Sequence, residues 1–568
     1  MKIRKQLASI VIILAFTGCS GSQESPELKE EISKSPSLAE TTVTAAVSTQ
    51  EVEKGHTLSL KDIETNRSAG KVKAVRALSA FLPASPGVDS IAMSTPTWNT
   101  ESYNAVPENG FINVGNDPLS TFSIDVDTAS YSNIRRFINQ GIMPPTGAVR
   151  IEEMINYFSY SYPQPSSKHP FSVTTELGPC PWNASHQLVR IGLKAKEIDT
   201  KDLPSSNMVF LIDVSGSMSA HNKLPLLKQS MKMLVKQLDK DDRVSMVVYA
   251  GNDRIALEPT AGSEQQKIFA AIDTLGADGS THASSGIVTA YKLAEQVFMP
   301  RGNNRIILAS DGDFNVGTTS RGELQRLIEE KRESGIYLTV LGFGMGNYHD
   351  DTMEILADKG NGNYGYIDNL LEAKKVLVKE MSGTLFALAR DVKIQVEFNP
   401  AKVGAYRLIG YENRTLADED FNDDKKDAGE IGVGHTVTSL YELVPAGSDD
   451  MPSVDPLKYQ QLQPGTNVKK YDELMTIKLR YKPMQTNQST LLSTVVKEVA
   501  IDLNNTSNDF RFAASVAGYG MLLTGSELGG KIDYEKVLGL AKGAKGADAE
   551  GYRAEFIRLV EMTQLLPH

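Results

Sequence analysis

The chain of 568 residues is short of several things, and each shortage closes off a class of protein. Two cysteines cannot build a disulfide framework or a multi-cysteine zinc site. Basic residues are outnumbered, 59 against 70, and the net charge is −11. With no Lys/Arg block, the electrostatic footprint of nucleic-acid binding is missing. Beyond the first twenty residues no apolar run approaches the ~20 residues of a transmembrane helix. A phosphate loop is missing, because Gly530-Lys531 is followed by Ile532 rather than Ser or Thr, so no nucleotide is expected. Gly-x-Ser-x-Gly and His-Glu-x-x-His are absent, and the eight histidines are scattered. Gly342-Phe343-Gly344-Met345-Gly346 lacks the dinucleotide spacing and reads as a tight strand exit. What is present is 40% hydrophobic and 23% charged, an ordinary globular balance. The length suits about three or four domains.

The start of the chain is an address. Lys2, Arg4 and Lys5 precede the apolar run Ala8 to Phe16, the layout of a secretory signal over residues 1–18. The run closes on Phe16-Thr17-Gly18-Cys19, which resembles the bacterial lipobox, and the resemblance implies lipidation at Cys19. Taking the three basic residues of the signal from the 59 leaves the chain from Cys19 at −14. Residues 19–95 are rich in Ser, Glu, Lys and Thr and poor in aromatics, which reads as a disordered tether. The expected location is the cell envelope, lipid-anchored. Ser20 after Cys19 resembles the enterobacterial signal for the outer membrane. With Cys19 lipidated, Cys180 in Pro-Cys-Pro is the remaining thiol and reads as a small buried apolar residue.

Residues 96–204 read as an N-terminal flank of short helices and strands. Thr128 to Gly141 carries Tyr131, Ile134, Phe137 and Ile138 on one helical face, and Val149 to Phe158 is a second short helix. Residues 205–390 alternate buried strands with amphipathic helices: strand 207–212, a helix with Leu224, Leu227, Met231 and Leu234, strand 243–250, helix 283–298, strand 305–309, helix 322–333, strand 336–343, helix 351–358, strand 364–367 and a long helix 370–389. That alternation predicts an α/β fold, a doubly wound and mainly parallel sheet. Half-exposed strands over 391–500 and before residue 207 predict that this domain is inserted in a β-sandwich, and residues 501–568 read as a C-terminal helical region.

Ligands of such sheets gather outside the carboxyl ends of the strands. Three loops lie there: Asp213-Val214-Ser215-Gly216-Ser217, Asp278-Gly279-Ser280-Thr281-His282 and Ser310-Asp311-Gly312-Asp313. They offer carboxylates and hydroxyls without thiols, a set of hard oxygens suited to Mg²⁺ or Mn²⁺. Asp-x-Ser-x-Ser with a later Thr and a later Asp-Gly resembles the von Willebrand factor type A domain and its metal-ion-dependent adhesion site, MIDAS. The resemblance implies that Asp213, Ser215, Ser217, Thr281 and Asp311 hold Mg²⁺, with Mn²⁺ or Ca²⁺ as substitutes, and that a partner carboxylate completes the shell. Ser120 to Tyr131 and the Pro144-Pro145 to Phe158 stretch further resemble a bacterial group of type A lipoproteins. Asp125-Val126-Asp127-Thr128 reads as a strand end and helix N-cap. Asp418 to Asp427 fails the EF-hand template at its sixth and twelfth positions and reads as an acidic surface loop.

The function expected is therefore binding rather than catalysis. A protein partner with an exposed Asp or Glu would be captured through the metal, and the membrane reached through the N-terminal lipid. The alternative is an envelope scaffold in which the metal only stabilises the loops. A metal-assisted hydrolase ranks last, since the sequence shows no general base.

Overall fold

A computed structural model of the protein describes residues 100–567 except 251, 278–283, 313–320, 452–471 and 500. The leader, Cys19 and the tether lie outside the described residues. The N-terminal flank contains β1 (Ile112–Asn113), β2 (Leu119–Ser123), α1 (Ala129–Asn139), α2 (Ile151–Asn156), β3 (Phe171–Pro179) and β4 (Gln187–Ala195). The central segment runs β5 (Ser206–Asp213), α3 (Leu224–Val235), β6 (Arg243–Ala250), β7 (Asn252–Ala261), α4 (Gln265–Asp273), α5 (Ser284–Gln296), β8 (Asn303–Ser310), α6 (Arg321–Glu333), β9 (Ile336–Phe343), α7 (Asp350–Lys359), β10 (Tyr364–Ile367), α8 (Leu370–Lys374) and α9 (Met381–Leu385). After it come β11 (Ala387–Phe398), β12 (Val403–Ile409), β13 (Gly429–Gly432), β14 (Thr436–Pro445), β15 (Glu473–Pro483), β16 (Thr490–Lys497), α10 (Asn508–Thr524), α11 (Tyr534–Gly543) and α12 (Tyr552–Thr563).

The central sheet has the order β10-β9-β8-β5-β6-β7 and is parallel except at the β6–β7 pair. Every residue of β5 is buried. Met208, Phe210 and Ile212 face the core under α3, and Val209 and Leu211 face the core under α5. Two covered faces explain why the strand is apolar without alternation. The antiparallel edge strand β7 was not foreseen from the sequence. Its polar residues and Pro259 suit an edge and hide the strand signal.

The long helix expected over 370–389 is a second departure. The segment splits into α8, a π-helical turn over Lys375–Lys379 and α9, and β11 already begins at Ala387. Pairing of β11 with β15, β13 and β2 overrides the helical pattern of residues 387–389. The end of the C-terminal helical region divides into α11 and α12, with Gly546 and Gly551 at positive φ between them.

The sandwich sheets are β1-β12-β14-β4-β3 and β13-β11-β15-β16, with β2 also on β11. β4 precedes the central domain and β14 follows it, and the two pair from Gln187–Leu443 to Lys194–Thr436. The central domain is therefore inserted between strands of one sandwich. The helices of the two flanks share a core, where Phe158 meets Phe512 and Phe556 edge-on. Along the chain these segments are more than 340 residues apart, and only the fold joins them.

Buried arginines tie the flanks to the central sheet. Arg135 of α1 reaches Asp368 beyond β10, Glu372 of α8 and Glu555 of α12. Arg150 reaches Asp350 of α7. Arg414 takes Asp125 at 2.9 Å and Asp358 at 2.7 Å. Asp125 and Asp127 thus serve as anchors, and Asp127 also accepts from the Tyr364 amide at 2.7 Å. The N-cap expected at Thr128 does not form through a side chain. Instead the Ser130 amide donates to Glu153. In the acidic loop, Lys393 donates to the Asp420 and Asp423 carbonyls and Arg332 pairs with Asp427. Among the described residues no helix is long and apolar enough to cross a membrane.

Candidate metal centre

The site is assembled by strand register. β5 lies between β8 and β6, so Asp213 at its carboxyl end falls opposite Tyr249 and one step beyond the Ile212–Ala309 pair. Ser310 and Tyr249 therefore flank the Asp213 carboxylate. Its Oδ2 accepts from Ser310 Oγ at 3.1 Å and Tyr249 Oη at 3.4 Å, and its Oδ1 accepts from the Ser215 amide at 2.9 Å. Burial raises the Asp213 carboxyl to about 6, and the bonds from Ser215 and Ser310 oppose the rise. With both oxygens engaged, Asp213 organises the first loop.

That loop turns at once. The Met218 amide donates to the Ser215 carbonyl at 3.0 Å, and the fully buried Met218 side chain pins the turn. Ser215 is buried while Ser217 is exposed, so their hydroxyls sit at the mouth of the site. The two Oγ atoms are 2.9 Å apart. Ser310, Asp311 and Gly312 form the second described loop, with the Gly312 amide donating to Ser310 Oγ at 3.1 Å. Gly312 has φ +88°, and a Cβ there would meet the His349 backbone at 2.5 Å. Only glycine fits both demands.

Asp311 is fully buried, and its Oδ2 accepts from Lys223 Nζ at 2.8 Å. Lys223 also donates to Asn347 Oδ1 at 3.2 Å. Sequence reasoning missed Lys223. Nothing in the Lys-Leu junction that opens α3 signals a partner in the loop after β8. Tyr249 and Asn347 were missed for the same reason, since register and the loop after β9 bring them in. Thr281 and His282 lie outside the described residues, as does Asp313. The structure thus brings together Asp213, Ser215, Ser217 and Asp311 of the expected set.

The donors suit a hard divalent ion. All are oxygens, two of them carboxylate-bearing residues and two hydroxyls. Ser215 and Ser217 are hydrogen-bonded to each other at 2.9 Å, a spacing compatible with the ~3 Å edge of an octahedron of ~2.1 Å metal–oxygen bonds. Among the described residues no three His, Cys, Asp or Glu side chains gather as a ligand group, so any metal here depends on the serines.

The fold and these loops define a von Willebrand factor type A protein. The von Willebrand factor type A domain model matches residues 207–378, and a model named von Willebrand factor matches 97–190. Residues 383–566 match the model of the C-terminal part of the uncharacterized protein YfbK. The chain is 45% identical to YfbK of Escherichia coli (strain K12) over 470 residues, covering 82% of this chain and 81% of that protein. The chain belongs to the YfbK family of bacterial type A proteins. More remotely, it is 26% identical over 175 residues to human inter-alpha-trypsin inhibitor heavy chain H2, which covers 29% of this chain and 18% of that one. The solved von Willebrand factor type A structure from Catenulispora acidiphila covers 68% of this chain and 90% of its own, at 16% identity and a TM-score of 0.38.

Proposed function

We propose that this protein is a lipid-anchored component of the bacterial cell envelope whose type A domain captures a protein partner through a metal-bridged carboxylate. The observation that carries the reading is the 2.9 Å pair of serine hydroxyls beside two buried carboxylates at the carboxyl edge of the sheet. Asp213, Ser215, Ser217 and Asp311 would hold Mg²⁺, together with Thr281 from the loop outside the described residues. The bound ion would supply an electrophilic site for one Asp or Glu of the partner. The protein's own residues would supply the rest: Asp213 and Ser310 fix the first loop, and the arginine ties fix the metal edge on the sandwich. Binding rather than catalysis is the role supported by membership of the type A class. Cys19 would carry the lipid and residues 19–95 the reach from the membrane, probed most simply at the outer membrane.

The test is calorimetric titration of Mg²⁺ and Mn²⁺ into residues 20–568 and into its Asp213→Ala variant. Saturable binding lost in the variant supports the reading and sets the conditions for a metal-dependent search for the partner. A folded protein that takes up neither ion, with or without added acetate, overturns it and puts the scaffold role first.

A further inference from the structure

Lys223 is an unusual neighbour for a cation site. A lysine at the edge of a domain normally extends its ammonium to water along an apolar stem. Here the side chain turns inward and is 6% exposed. Its ammonium rests 2.8 Å from Asp311 and 3.2 Å from Asn347. The stem lies against Gly344, where a Cβ would collide with it, and the Gly344 carbonyl is held by the Tyr366 hydroxyl. The first residue of the loop after β9 thus has no side chain so that Lys223 can pass. Burying an ammonium is costly unless the charge is used. The charge is placed where the proposed metal would add two more.

We propose that Lys223 is the residue that makes the metal centre selective for a carboxylate partner, an inference that rests on reading the cup as a divalent-cation site. The described residues bring three charged side chains to the cup: Asp213, Asp311 and Lys223. With both carboxylates ionised they sum to one negative charge. A divalent ion adds two positive charges beside Asp213, Ser215, Asp311 and Lys223, all of them buried. One carboxylate from a partner offsets part of that charge. Without the lysine, the loaded cup would carry one positive charge less and would draw an anion less strongly. Lys223 therefore weakens the ion when it binds alone and strengthens the ion and the carboxylate when they bind together. This is a positive coupling between two ligands, and it is reciprocal. It also discriminates against neutral partners, which leave the positive charge unmet.

The experiment uses the full-length chain in detergent, Mn²⁺ as the metal and acetate as the carboxylate. Free Mn²⁺ is read by electron paramagnetic resonance, and displacement of water from bound Mn²⁺ by proton relaxation. Lys223→Met keeps the stem against Gly344 and removes the charge; Lys223→Arg keeps the charge. Far-UV circular dichroism confirms that each variant is folded. The expected result is Mn²⁺ bound at least about tenfold tighter by Lys223→Met, with acetate at least about tenfold less effective on its loaded site. Lys223→Arg should stay near the original protein in both. Equal or weaker Mn²⁺ binding by Lys223→Met, or undiminished acetate binding, overturns the inference and leaves Lys223 as a structural tie between Asp311 and the loop after β9. Mn²⁺ bound by neither the original protein nor Lys223→Met overturns the metal reading itself, and the two failures are thereby told apart.

Discussion

Replacing Arg135 by Met should cost about 3–5 kcal/mol, because it strands buried carboxylates rather than merely removing a bond. The Arg135 side chain is 4% exposed, and its partners Asp368 and Glu372 are 7% and 1% exposed. Its bonds to Asp368 are 2.5 and 2.9 Å and to Glu372 2.7 Å. Burial raises the Asp368 carboxyl, and the Arg135 charge is the chief force opposing the rise. Methionine fills most of the stem volume, so the loss measures charge and not a cavity. The third partner, Glu555, is 26% exposed, and Glu555→Gln should cost under about 1 kcal/mol. Urea unfolding followed through the fluorescence of the buried Trp182 reads both. The sign of the pH dependence is a further check. Without Arg135, Asp368 takes up a proton in the folded state at higher pH than in the unfolded state. The variant therefore recovers as pH falls, and its deficit at pH 5.5 should be smaller than at pH 8. A loss under about 1 kcal/mol at pH 8, or a deficit independent of pH, would refute the view that this network holds the central sheet on the flanks.

Two other expectations follow from buried groups. Glu152 is buried with Oε2 unpartnered, and burial raises its carboxyl; Glu153 is lifted by burial from 4.5 to about 8. Folded protein then binds more protons than unfolded protein between those values, so stability declines as pH rises from about 5 to 8 and levels above. The melting temperature should be higher at pH 6 than at pH 8.5, with a shallower slope in Glu153→Gln, and the opposite trend would sink the assignment. Cys180 is 3% exposed and burial raises its thiol, so it should be inert. A Cys19→Ser chain should show no fast reaction with a disulfide reagent at pH 8 when folded and one thiol when denatured; a fast native thiol would contradict the burial.

How far the sequence reached can be traced residue by residue. Asp213, Ser215 and Ser217 were legible because they are adjacent on the chain, where a strand end and a turn fix their relation. Asp311 was legible because an apolar strand delivers it to the same edge. Strand β5 announced its own burial, since two covered faces leave an uninterrupted apolar run. The edge strand β7 did not, because an edge carries polar residues and tolerates Pro259. The junction at residues 387–389 was illegible for a different reason: Ala-Leu-Ala suits a helix, and only the neighbouring strands turn it into β11.

The sequence by itself determined the alternation of buried strands and helices in the central domain, the apolar faces and the set of carboxylates and hydroxyls after the strands. Those properties are local, and local spacing encodes them. The tertiary structure alone decided that Lys223 lies on Asp311, that Tyr249 and Ser310 hold Asp213, and that Arg135 binds the flank to the far side of the sheet. Each of these pairs joins residues tens to hundreds of positions apart. Their meeting depends on strand register and on which helix covers which face, and the spacing of residues along the chain does not encode either.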